Sequence, residues 1–273
     1  MHDVLVRVSR PGDAGRSVCC AARIAAGLKG GLTGLHVVPT GAPPPSLYDP
    51  GFAAAEWAIQ AQEQVRAAQD AAPAFVDWAA AMGVARASWV SCAGYLPELL
   101  GSAGQWHDLL VLGIDPDGED AWTRPPGIAR IVLASPIACL LVPPSVEMEL
   151  PCDTVAIAWN GSIEALRAVR AAVPLLEGAR RILVLSGECV DTSPLRPQFD
   201  LRQWLEARFG AVEYRMLEPG RQQGADIVDA VHACQADLLV MGAYGRSRAA
   251  EWILGGVTRH MLRHADFPIL MRH

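Results

Sequence analysis

With 3-2-1-4-5 taken as the strand order, the amino-acid order predicts an α/β protein made of two tandem, doubly wound domains, each with a five-stranded parallel sheet. Three observations carry this. Short apolar, β-branched runs alternate with helix-like segments along the chain, which is the pattern of βαβ units around a parallel sheet. The run HDLLVLG at 107–113 returns as ADLLVMG at 236–242, and LLV at 140–142 returns as ILM at 269–271, both at the offset of 129 residues that separates Gly113 from Gly242. Finally, VLVRVS at 4–9 and VAIAWN at 155–160 each open a half and lead into an alanine-rich helical pattern.

The elements follow from local pattern. In the second half, strands are expected near 153–159, 181–186, 211–217, 237–242 and 267–272, and helices near 163–176, 197–209, 223–234 and 248–264. The first half repeats this order with one long insertion. Its Pro-rich loop at 40–46 is expected to be exposed, and the Ala/Gln-rich stretch from Ala53 to Ala81 to be helical, with Trp57 and Trp78 buried and Pro73 kinking or dividing it. The seam falls in the Pro-rich connection VPPSVEMELP at 142–151, so the domains are read as 1–147 and 150–273.

Composition narrows the function. With 273 residues, 51% of them hydrophobic, the chain can bury two cores. No apolar run approaches the roughly 18 residues of a membrane span, and the N-terminal stretch lacks a signal-peptide pattern, so a cytoplasmic protein without membrane association is expected. A net charge of −6 argues against nucleic acid, whose binders cluster Lys and Arg. The seven cysteines form no C-x-x-C pair and read as small buried hydrophobes. His260 and His264 lie four apart without the Glu of a zinc-protease motif, and are read as cationic residues near a helix C-terminus rather than as a metal site.

The candidate site is the stretch MGAYGRSRAAEWILGGVT at 241–258. A glycine-rich turn between a buried strand and a helix presents backbone N–H groups and the positive end of the helix dipole to an anion. In an open parallel sheet, ligands lie beyond the carboxyl ends of the strands where strand order reverses. That places Asn160 and Gly161 opposite Met241, Gly242 and Gly245, with Gly255, Gly256, Val257 and Thr258 opening the last helix. Arg246 follows Gly245, and Arg248 lies two residues further on.

These residues resemble the universal stress protein family over nearly the whole chain, and the repeat then resembles a Rossmann-like tandem member. The family's nucleotide binders carry G-x2-G-x9-G followed by Ser or Thr, and Gly242, Gly245 and Gly255 match its glycines. Gly256 stands where a hydroxyl residue is usual, while Thr258 matches the later hydroxyl. Asn160 takes the place of an Asp. It still hydrogen-bonds a ribose but brings no charge for magnesium. The resemblance implies an adenine nucleotide, ATP, ADP or AMP, with phosphates at Gly242, Gly245, Gly255, Gly256 and Thr258 and ribose near Asn160. In the first half, Pro116, Pro126 and Ala129 replace Gly245, Gly255 and Thr258, and Asp115, Asp117, Glu119 and Asp120 crowd the loop, so that half is expected to be degenerate.

Two function classes fit this skeleton: a nucleotide-binding regulatory module with an unknown protein partner, and a scaffold of the same fold that binds no nucleotide. No nucleophile elbow and no P-loop are present, so catalysis beyond slow ATP hydrolysis is not expected. The resemblance further implies that 140–142 pairs with 269–271 about a pseudo-twofold axis, giving a monomer with dimer-like halves or a homodimer.

Overall fold

The computed structural model describes residues 2–39, 50–187, 200–218, 223–244 and 256–273, and it separates into two compact units. The first unit comprises residues up to Val111 together with Ala134–Ile137. It contains β1 (Asp3–Arg7), α1 (Arg16–Gly27), β2 (Gly31–Pro39), α2 (Pro50–Gln69), α3 (Ala72–Ala81), β3 (Arg86–Gly94), α4 (Leu96–Gly104) and the start of β4 (Leu109–Gly113). β1 lies between β2 and β4, and β2 pairs with β3, all in parallel. β1 and β4 are buried on both faces, which is why their centres read as continuous apolar runs.

The insertion is helical and is divided just before Pro73, which sits in the first turn of α3, where a missing N–H costs nothing. Its anchor differs from the expectation. Trp78 is only half-buried, whereas Phe75 is buried and packs on Trp89 of β3, with ring centroids 5.2 Å apart. Trp89 Nε1 donates to Ala68 O at 2.9 Å, so the polar atom of the buried indole is satisfied by the end of α2. Gly34 makes room for this cluster, since a Cβ there would lie 2.7 Å from Phe75. The Trp57 side chain and the Pro-rich loop at 40–46 lie outside the described residues.

The second unit comprises Leu112–Leu133 and Ala138–His273. It holds the end of β4, most of α5 (Pro125–Ala134), β5 (Ala138–Val142), β6 (Thr154–Trp159), α6 (Ile163–Leu176), β7 (Arg181–Ser186), α7 (Leu201–Phe209), β8 (Glu213–Met216), α8 (Gln223–Ala233), β9 (Leu238–Gly242), α9 (Gly256–His264) and β10 (Ile269–Arg272). Within the first unit the hydrogen-bonded strand order is β3-β2-β1-β4, and within the second it is β5-β10-β9-β6-β7-β8, so the strands of the second half read 3-2-1-4-5 from β8 to β10. The boundary between the compact units falls inside β4, and β5 ladders with β10 within the second unit.

That ladder is antiparallel and self-complementary. Ile269 faces Leu141 and Leu270 faces Leu140, and under the offset of 129 these two pairings exchange, which is the local signature of a twofold relation. All four residues are at most 2% exposed.

A second repeated device was not anticipated from sequence. Asp108 Oδ2 accepts from the N–H groups of His2 and Asp3 at 2.5 and 3.1 Å, and Asp237 Oδ2 accepts from Asp153 and Thr154 at 2.8 and 2.9 Å. In each half, the Asp that precedes the fourth strand holds the first amides of the opening strand. Three of the cysteines, Cys20, Cys139 and Cys152, are buried as expected, Cys19, Cys92 and Cys234 are partly exposed, and Cys189 lies outside the described residues.

Candidate functional site

In the second half, β6 lies between β7 and β9, so strand order reverses at β6 and β9. Their ladder closes with Ala158 opposite Met241, and both chains turn away just beyond it. On the β6 side the turn is fixed locally. Asn160 Oδ1 accepts from Ser162 N–H at 3.1 Å, Gly161 takes a left-handed φ of 71°, and the buried Ser162 caps α6 by accepting from Ala165 N–H at 3.1 Å. Asn160 is exposed at the mouth of this turn.

On the β9 side, Gly242 meets the start of α6. A Cβ at this position would lie 2.5 Å from Ala165 N and 2.9 Å from Glu164 C, so the glycine lets strand and helix approach backbone to backbone. Met241 is buried in the sheet between Ala158 and Met271. The next residues are tied to the end of β10. Ala243 N–H donates to Arg272 O at 2.9 Å, and His273 Nδ1 donates to Ala243 O at 3.1 Å. Tyr244 has a φ of 59° and stands edge-on to His273. Its hydroxyl is buried with no hydrogen-bond partner among the described residues, and burial raises the phenol above its ordinary range.

The start of α9 joins this turn. Thr258 is buried, and its Oγ1 accepts from Tyr244 N–H at 3.4 Å. Gly256 is exposed at the first position of the helix, with no described residue within 4 Å of where a Cβ would stand, and Val257 is half-buried. The structure thus brings Gly242, Thr258 and the Tyr244 turn together, beside the Asn160 turn that leads into the same α6. Gly245, Arg246, Arg248 and Gly255 lie outside the described residues. Sequence reasoning passed over Ser162, Tyr244 and Arg272. Arg272 is in register with Gly242, and burial together with the positive charge of Arg167 on α6 holds its pKa below the ordinary arginine range. The signal available beforehand was positional, an arginine closing the last strand beside the glycine turn.

The corresponding loop of the first half is filled by its own backbone. Asp115 N–H donates to Thr123 O at 2.9 Å, Asp120 Oδ1 accepts from Trp122 N–H at 2.9 Å, and Arg124 Nε donates to Gly118 O at 2.6 Å. Gly127, the counterpart of Gly256, lies beneath this loop. A Cβ there would run into Ala121 O and stand 2.7 Å from Trp122 Cα. The N-terminal end of α5 is therefore covered by the chain itself.

Comparison with known proteins places this geometry. The model of the universal stress protein family matches residues 152–273. Among solved structures, the chain is similar to a universal stress protein from Archaeoglobus fulgidus DSM 4304, at 17% identity and a TM-score of 0.66, over 99% of this chain and 95% of that one. It is also similar to a functionally unknown protein from Pseudomonas aeruginosa PAO1, at 13% identity and a TM-score of 0.60, over 100% of this chain and 92% of that one. At these identities the likeness is one of fold. No curated protein matches the chain.

Proposed function

Residues 152–273 belong to the universal stress protein family, and from that premise we propose that the second half binds one adenine nucleotide, ATP, ADP or AMP, as a regulatory module. The supporting observation is the convergence at the point of strand reversal. The turns after β6 and β9 lie side by side, and Thr258 ties the start of α9 to the second of them. Phosphates are held at Gly242, Gly245, Gly255, Gly256 and Thr258, largely through main-chain donors and the helix dipole. Met241, Arg246 and Val257 flank them, and Asn160 meets the ribose. Asn160 Oδ1 is already engaged by Ser162 N–H, so it offers the ligand mainly its amide, and it has no charge to fix magnesium. Arg272 and Arg167 add positive potential at this end of the sheet.

On this reading the halves are domains 1–147 and 150–273. The first is a degenerate partner whose loop replaces the ligand, the protein is cytoplasmic, and any ATP hydrolysis is slow. One observation favours the scaffold alternative: packing against α6 accounts for Gly242 without a ligand. Calorimetry of the nucleotide-stripped full chain with ATP, ADP and AMP, with and without magnesium, separates the two. Nucleotide binding predicts one site per chain and little magnesium dependence. Gly245→Pro copies Pro116 of the first half, removing a donor and setting φ. It is expected to abolish binding while circular dichroism stays unchanged. Equal affinity in the folded variant takes the glycine loop out of the site, and no binding by wild type at about millimolar nucleotide establishes the scaffold.

A further inference from the structure

The pair His260 and His264, which the nucleotide reading does not use, stands apart from the other histidines of the second unit. His232 gives Nε2 to Asp266 at 2.7 Å, and His273 gives Nδ1 to Ala243 O. Among the described residues, neither His260 nor His264 makes a hydrogen bond or an ion pair, yet their rings lie together on α9 with centroids 4.5 Å apart and planes inclined by 43°. His260 is held from the other side by α8. A Cβ at Gly224 would stand 2.7 Å from His260 Cγ and 2.9 Å from its Cδ2, so that edge of the ring faces α8. His264 is exposed.

As a cationic end to the helix this arrangement is poor. Two imidazolium rings at this separation repel. Arg263 already supplies a positive charge in the last turn. The ring separation fits a chelate. A metal–nitrogen bond of about 2.0–2.1 Å plus about 1.1 Å to the ring centre puts each centroid about 3.2 Å from the ion. Two such arms at a right angle are separated by about 4.5 Å, and at the tetrahedral angle by about 5.2 Å. The observed centroid separation of 4.5 Å matches the right-angle case.

We infer that His260 and His264 form a two-histidine chelate on α9 for a borderline divalent transition metal, with zinc and nickel as the working ions. The imidazole nitrogens suit those ions, and i,i+4 spacing puts both on one helix face. Among the described residues no third His, Cys, Asp or Glu is placed to join them. Water or an oxygen of a bound molecule completes the coordination, so the position is open rather than structural. The clamp spans the last turn of the helix whose first turn carries Thr258, and occupancy stabilises that helix. The inference does not depend on nucleotide binding, because it is read from the metal itself.

The test uses the full chain. Zinc and nickel are each titrated by calorimetry into wild type, His264→Gln and His260→Gln, and imidazole nitrogen resonances are followed on adding zinc. Wild type is expected to take up one ion per chain with a rise in thermal midpoint. Each substitution is expected to weaken binding about tenfold or more and to remove the rise, with the resonances of both rings moving on metal addition. His264 is exposed, so its variant tests the proposal even where His260→Gln disturbs the contact with Gly224. Unchanged affinity in His264→Gln, or zinc uptake that leaves both imidazoles unmoved because thiolates hold it, overturns the chelate. So does the absence of binding by wild type.

Discussion

Substituting Gly242 by alanine separates packing from ligand contact. The new methyl lies 2.5 Å from Ala165 N, 2.9 Å from Glu164 C and 3.0 Å from Ala165 Cα, all backbone atoms at the start of α6. Ordinary contacts of this kind begin near ~3.4 Å, so strand and helix must separate by roughly 1 Å, and there is no side-chain tip to yield instead. Overpacking of this kind costs about 1–3 kcal/mol, and disturbing the Ser162 cap in the same turn adds about 1 kcal/mol. Alanine regains about 0.5–1 kcal/mol over glycine within a strand. The net loss is about 1–3.5 kcal/mol, which moves a urea midpoint down by about 1 M.

The control is Gly256→Ala, where no described residue stands within 4 Å of the new methyl and α9 begins. It is expected to keep or slightly raise the midpoint while obstructing a phosphate, because alanine is the better helix former. Tryptophan fluorescence in urea reports the transition, with Trp159 at the end of β6 as a local probe, and nucleotide titration of both variants reports the site. A wild-type midpoint for Gly242→Ala refutes the account of close strand–helix approach.

Two further substitutions probe single contacts. Thr258→Val preserves shape and removes the acceptor for Tyr244 N–H. At 3.4 Å that bond is long, so a loss of about 0.5–1 kcal/mol is expected in chemical denaturation, together with weaker nucleotide binding. If neither changes, Thr258 only fills space. Asp108→Asn is expected to narrow the acid dependence of stability. Burial raises the carboxyl pKa, but hydrogen bonds from the His2 and Asp3 amides outweigh this, and the folded value lies below the ordinary one. The stabilisation is therefore present above about pH 4 and is lost as pH falls through the folded value. Thermal midpoints of wild type and Asp108→Asn should differ near neutrality and converge in acid. A gap independent of pH removes the amide grip as its cause.

Much of the architecture is legible along the chain because it rests on local period and on repetition. The expected bounds of α6 and β7 are those observed, and the recurrence of HDLLVLG as ADLLVMG places β4 and β9 in equivalent positions. The resemblance implied that β5 meets β10, and the ladder shows it. At the site, the glycine pattern falls on the turns after β6 and β9 and the start of α9, but residue type left open what each glycine or hydroxyl faces. Gly242 faces α6, Thr258 turns toward Tyr244, and Met241 is buried in the sheet.

Alternation and turn chemistry act within a few residues, so strand positions, helix spans and the tandem repeat are written into the order of apolar and breaking residues. Facts that join distant segments depend on how helices seat on the sheet. The Asp108 and Asp237 grips, the burial of the first-half loop over Gly127, the closeness of Gly242 to Ala165 and the facing of His260 on Gly224 are all of this kind. Such contacts are decided by side-chain volume and direction at packed interfaces, where shifts of a few tenths of an ångström separate contact from clash, and no one-dimensional pattern carries that precision.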